Sequence, residues 1–131
     1  MSNKKGFTLI EITVVLIILG VLAAIAVPNY MTSLQQGEAR NAKNNLISIY
    51  GAQRNYYFTN GSYCLASCNS LANINTALSL NLTDTYFNTY TCSNTTLPYQ
   101  CTATASSGTV VLDASQKLSS TNPSCTGTCP Y

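Results

Sequence analysis

From Phe7 to Val27 the chain reads FTLIEITVVLIILGVLAAIAV, an apolar run with a single charged residue in it. As a helix rising 1.5 Å per residue, this stretch spans about 30 Å, the thickness of a bilayer's hydrocarbon core. The leading MSNKKG is short, polar and basic, which places the N-terminus on the cytoplasmic side and everything after Val27 outside. Three readings fit such a run. It can be a secretory signal with a small-residue cleavage site near Ala23–Ala26, a plain single-pass anchor, or a segment trimmed on its cytoplasmic side and retained. The run is longer than the usual apolar core of a signal peptide. Glu11 separates the three. A carboxylate at bilayer depth costs several kcal/mol unless it is paired or protonated, and its default reading is functional. Lys4 and Lys5, the nearest cations, lie beyond Gly6, so the chain offers Glu11 no neutralising partner close by. A signal or passive anchor gains nothing from it, whereas a subunit docking on another subunit's positive group does.

The segment KKGFTLIEITVVLIILGVLAAIAVPNY, residues 4–30, resembles the N-terminus of type IV prepilins and type II secretion pseudopilins. The shared pattern is a basic leader ending in Gly, then Phe, then TLIE, then a long apolar helix. The resemblance implies that a prepilin peptidase cuts between Gly6 and Phe7, removing residues 1–6, and that the new Phe7 amine is methylated. It implies that Glu11 is the assembly glutamate, pairing with the Phe7 amine of a neighbouring subunit in a filament core. Two charges that are each costly in an apolar core become tolerable as a pair, and only one axial offset brings them together. Gly20 and Pro28 also fit the family. Pro28 removes a backbone donor and crowds the carbonyl four residues back, and Gly20 lowers helix propensity by about 1 kcal/mol relative to Ala. Either a simple kink or a stretch that unwinds in the filament follows from them.

After Pro28 the apolar pattern changes. Ala39, Ala42, Leu46, Ile49, Gln53 and Tyr56 recur at three- and four-residue steps, one stripe interrupted only by Gln53. This predicts a helix running on to about Phe58, where Asn60-Gly61-Ser62 is a stop signal. The expected organisation is a leader at 1–6, a transmembrane or filament-core half-helix at 7–28, and an amphipathic half-helix with a globular head at 29–131. Beyond the helix the pattern predicts a short helix around Leu71–Leu78. Strands follow in TYFNTYTCSN and YQCTATAS on either side of a turn at Thr95–Pro98, and a further strand at Thr109–Asp113. The tail from Ser119 to Tyr131 reads as irregular. The fold class is therefore α+β: a pilin fold in which the second half of a long N-terminal helix packs on an antiparallel sheet of about three or four strands. Tyr56, Tyr57 and Phe58 cluster at the helix end. A helix-to-sheet core contact is the expected role, with ligand stacking as the rival.

Cys64, Cys68, Cys92, Cys101, Cys125 and Cys129 lie in the presumed exported part. An even count there reads as disulfides made in an oxidising compartment. Zinc is the rival, but the chain has no His and the spacings are not those of paired knuckles. Many connectivities are open; sequence proximity prefers Cys64–Cys68, Cys92–Cys101 and Cys125–Cys129.

Charged residues make up 8% of the chain, so Ser, Thr and Asn solvate its surface. Setting aside Lys4 and Lys5, Arg40, Lys43, Arg54 and Lys117 balance Glu11, Glu38, Asp84 and Asp113. Such a body has no strong nucleic-acid signal and leaves a few basic residues for weak DNA contact. With no His, and Asp84 and Asp113 as the carboxylates beyond the helix, no acid–base pair or activated nucleophile is assembled, so no enzyme, cofactor or metal is expected. Calcium finds no further acid after Asp113.

The expected function is a structural subunit of a type IV pilus-like filament used for adhesion, motility or DNA uptake. Its partners would be identical or homologous pilins, the inner membrane before assembly, the prepilin peptidase and the assembly machinery. Its final location would be an extracellular pilus. A type II secretion pseudopilin in a periplasmic fibre is the alternative within the family. A membrane-anchored, disulfide-stapled binding module that never polymerises is the alternative outside it.

Overall fold

The computed structural model describes residues 6–94, 98–106, 108–114, 118–119 and 121–127. Its elements are helix α1 (Leu9–Asn60), helix α2 (Leu71–Leu78), and strands β1 (Thr89–Ser93), β2 (Gln100–Ala105), β3 (Gly108–Asp113) and β4 (Ser124–Gly127). The chain divides into two units, Met1–Leu34 and Gln35–Tyr131, with α1 contributing to both.

In the first unit the large apolar side chains from Phe7 to Leu34 are all exposed. Among the described residues α1 is the one helix long and apolar enough to cross a membrane. Pro28 lies inside the helix. Just after it, Thr32 Oγ1 donates to the Pro28 carbonyl at 3.1 Å and Ser33 Oγ donates to the Asn29 carbonyl at 3.0 Å.

The second unit holds the core. Its sheet is antiparallel, in the order β1-β2-β3-β4. Alternation along the strands puts one face inward. Tyr90, Ala103 and Val110 form one buried cross-sheet row, and Cys92, Cys101 and Leu112 form the next. Ala103 is the small residue of its row, between Tyr90 and Val110. Ala39, Ala42, Leu46 and Ile49 of α1, with Ile74 and Leu78 of α2 and Phe87, complete the core.

The predicted stripe on α1 is buried from Ala39 to Gln53, with Asn45 added and Tyr56 only partly buried. Gln53 does not interrupt it. Its side chain is fully buried, with Nε2 donating to the Cys64 carbonyl at 2.7 Å and Oε1 accepting from the Cys64 N–H at 2.9 Å. The amide takes the place of a neighbouring strand for the loop that leaves the helix.

Two further amides act in the same way. Asn75 Nδ2 donates to the Leu82 carbonyl at 2.8 Å while Oδ1 accepts from the Leu82 N–H at 2.9 Å. Asn122 Nδ2 donates to the Asp113 carbonyl at 2.8 Å and Oδ1 accepts from the Asp113 N–H at 3.1 Å. That last pair brings the chain back alongside β3, and β4 pairs with β3 from Gly108↔Gly127 to Val111↔Ser124. The tail is thus not irregular throughout. Ser124–Gly127 carries none of the aromatic or branched residues that mark a strand, except Thr126, so pattern alone misses it.

Candidate functional site

The N-terminal segment comes first. Gly6, Phe7 and Thr8 precede the helix, and Phe7 is 83% exposed. Thr8 and Glu11 form a capping box, in which side chains at the first turn satisfy the donors that have no intrahelical partner. Thr8 Oγ1 accepts from the Glu11 N–H at 3.3 Å. Glu11 Oε2 accepts from the Thr8 N–H at 2.9 Å and from the Thr8 hydroxyl at 3.0 Å. Glu11 therefore has hydrogen-bond partners within its own chain, although none of them is a counter-charge. The T-x-x-E spacing ahead of an apolar run was the available signal. These bonds supply donors and no opposite charge, so the electrostatic cost of the carboxylate in an apolar setting remains.

Nothing lies within 4 Å of a Cβ built at Gly6 or at Gly20, so this chain's own packing requires glycine at neither position.

In the second unit the cysteines act as staples. Cys64 is bonded to Cys68 and Cys92 to Cys101, the partners that proximity prefers. Cys92 and Cys101 are directly opposite across β1 and β2. The Cys92 N–H donates to the Cys68 carbonyl at 2.9 Å, which couples the two staples. The expected Cys125–Cys129 bridge falls on Cys129, outside the described residues, as do Thr95, Thr96 and Leu97 of the expected turn.

Asp84 is occupied structurally. Its Oδ1 accepts from the Tyr86 and Phe87 N–H groups, and its Oδ2 accepts from the Tyr90 hydroxyl at 2.7 Å. Asn45 Nδ2 donates to the same hydroxyl at 3.2 Å. Burial, reinforced by the hydrogen bond to Asp84, pushes the Tyr90 pKa up. The groups of three or more His, Cys, Asp or Glu that could hold a metal are absent among the described residues.

The aromatic cluster departs from expectation. Tyr56 is partly buried against the core, but Tyr57 is 43% and Phe58 79% exposed. Tyr57 stacks on Tyr63 at 4.6 Å between ring centroids, Tyr63 lies 4.6 Å from the buried Tyr99, and Phe58 meets Tyr57 edge-on at 6.5 Å. Tyr56 lies on the same face of α1 as the buried Ile49 and Gln53, whereas 100° per residue carries Phe58 round to the opposite side.

Two family models match the chain. One, described as a prokaryotic N-terminal methylation motif, covers residues 1–27. The other, described as type IV minor pilin ComP, DNA uptake sequence receptor, covers residues 28–128. The chain belongs to this type IV pilin family. Among curated proteins, the pilin is 41% identical over 61 residues to the type IV major pilin protein PilA of Myxococcus xanthus, covering 47% of this chain and 28% of that one. It is 40% identical over 63 residues to the type II secretion system core protein G of Klebsiella pneumoniae, covering 48% and 45%. The corresponding protein of Pseudomonas aeruginosa is 43% identical over 61 residues, covering 47% and 43%. The pilin thus spans less than half the length of these curated relatives. No solved structure matches it significantly.

Proposed function

We propose that this pilin is a filament subunit that polymerises through its N-terminal helix after cleavage between Gly6 and Phe7 and methylation of Phe7. The observation that carries this reading is the apolar run from Phe7 to Leu34, exposed throughout and headed by Glu11. Such a surface needs lipid before assembly and neighbouring helices after it, each large side chain gaining about 1.5–3 kcal/mol on burial. The Phe7 amine of the next subunit supplies the counter-charge that the capping box does not. Gly20 and Pro28 let the helix between them unwind when the lipid-embedded subunit joins the fibre. Glu11→Ala is expected to leave the chain in the membrane and to abolish filaments seen by electron microscopy; normal filaments in that variant would refute the pairing role. Mass spectrometry of the mature chain should show methyl-Phe7 at its N-terminus.

The relatives named as secretion core protein G support a periplasmic pseudopilus as the alternative setting. A second reading concerns the head. The family matched by residues 28–128 is described as a DNA uptake sequence receptor, which supports DNA as a ligand of residues 35–131. The near-neutral balance of the chain conceals a local excess: from Ala39 to Thr83 there is no Asp or Glu, while Arg40, Lys43 and Arg54 are present. Binding of labelled DNA by the full-length protein in detergent tests this, and no binding at low salt would refute it.

A further inference from the structure

Arg40, Lys43, Ile47, Arg54 and Phe58 recur on α1 at three-, four- and seven-residue steps, which lines them up on one side of the helix. All are exposed except Lys43, which is intermediate. Phe58 is the most exposed large apolar residue of the second unit among the described residues. An exposed phenyl ring on a monomer is unremarkable when it stands alone. This one ends a run of rings, Phe58–Tyr57–Tyr63–Tyr99, whose last member is 1% exposed and anchored in the core. The outer rings are held in place by the inner ones, so a ligand stacking on them orders little that is not already ordered. Arg54 sits one helical turn before Phe58, and its charge is close enough to lower the Tyr99 pKa against the upward push of burial.

An exposed phenyl ring one helical turn from a guanidinium, on a helix face drawn from a stretch of sequence with no Asp or Glu between Ala39 and Thr83, matches one chemistry best. Bases stack on aromatic rings while phosphates pair with Arg and Lys, the combination used for single strands. A second copy of this chain would bring apolar side chains to Phe58 and Ile47 but no dense negative charge to Arg40 and Arg54, given the 8% charged composition.

We propose that Phe58, backed by Tyr57, Tyr63 and Tyr99, forms a stacking platform for an unpaired base of single-stranded DNA, with Arg54 and Arg40 following its phosphates. The proposal rests on the DNA-binding reading above and names the contact. Its test is fluorescence anisotropy of labelled oligo-dT and of a duplex, with the full-length protein in non-ionic detergent. The wild type is expected to bind oligo-dT in preference to duplex. Phe58→Ala, a change at an exposed ring that leaves the core intact, is expected to weaken oligo-dT binding roughly 5- to 150-fold, and Phe58→Tyr to retain it. Arg54→Gln should reduce the slope of log affinity against log salt by about 0.7. Wild-type affinity for oligo-dT in Phe58→Ala, or a preference for duplex, would overturn the platform and leave the DNA reading standing. Loss of self-association in Phe58→Ala with DNA binding intact would assign the rings to a subunit contact and overturn the platform. Failure of the wild type to bind either probe would overturn both.

Discussion

Replacing Gln53 by Met keeps the volume of the side chain and deletes its amide. The change leaves the N–H and the carbonyl of Cys64 without their partner at a residue that is 2% exposed. Each orphaned buried group costs about 1–3 kcal/mol, and the better apolar fit of the Met tip returns under about 1 kcal/mol. The expected loss is therefore about 3 kcal/mol, a large share of the roughly 5–15 kcal/mol that holds a domain together. For a unit of this size the melting temperature should fall on the order of 15 °C. Urea unfolding of the full-length protein in detergent, followed by tyrosine near-UV circular dichroism, measures the loss directly. An unchanged m-value would show that the unfolded state is not what changed. Gln53→Glu supplies a second measure. Its carboxylate still accepts from the Cys64 N–H but faces the Cys64 carbonyl with a negative charge, so its folded pKa is raised. The penalty should be present above the unfolded value of about 4.3 and disappear as pH falls below it, when the protonated acid again donates. If Gln53→Met unfolds within about 0.5 kcal/mol of wild type, the amide is not what holds the loop to the helix, and the reasoning fails.

Alkaline titration should separate Tyr90 and Tyr99 from the other tyrosines. Burial raises both pKa values, so the stability these rings contribute is full below about pH 10, where the unfolded chain keeps its phenols neutral, and declines as pH rises further. Tyrosinate absorbance should therefore show two of the nine tyrosines ionising only as the protein unfolds. The Tyr99 hydroxyl is buried without a hydrogen-bond partner among the described residues, so Tyr99→Phe should be neutral or stabilising by up to about 1 kcal/mol in thermal melts. Cys92→Ser with Cys101→Ser removes a staple across nine positions of sequence and should cost about 2–3 kcal/mol, measured by urea unfolding beside the reduced wild type.

What could be read in the residues follows the strength of each physical signal. The apolar run is long enough that its length alone restricts the reading, and α2 is bounded by Ser70 as N-cap and Ser79 in a left-handed C-cap conformation. Strands rich in Thr, Tyr and Val announced themselves; Ser124–Gly127 did not, because its pairing is imposed by Asn122 from outside the strand. Gln53 looked like a flaw in a stripe because period and hydrophobicity do not register a side chain that hydrogen-bonds a loop eleven residues on. Glu11 posed the opposite difficulty. Its charge drew notice at once, while Thr8 three residues earlier, which caps it, read as part of a motif. Aromatic character argues for placing Tyr57 and Phe58 inward, but the helical period continues through them and carries Phe58 away from the buried face of α1.

The coupling of Gln53, the two staples and the sheet has a mechanical consequence. A pull on the end of α1 reaches Cys64 through the two Gln53 bonds, crosses to Cys68 by a covalent bridge, and passes through the Cys92 N–H to β1. From there a second bridge carries it to β2. Load is thus shared between strands before any strand can be unzipped alone. In the fibre proposed above, tension would therefore meet the two staples before it could peel β1 from β2.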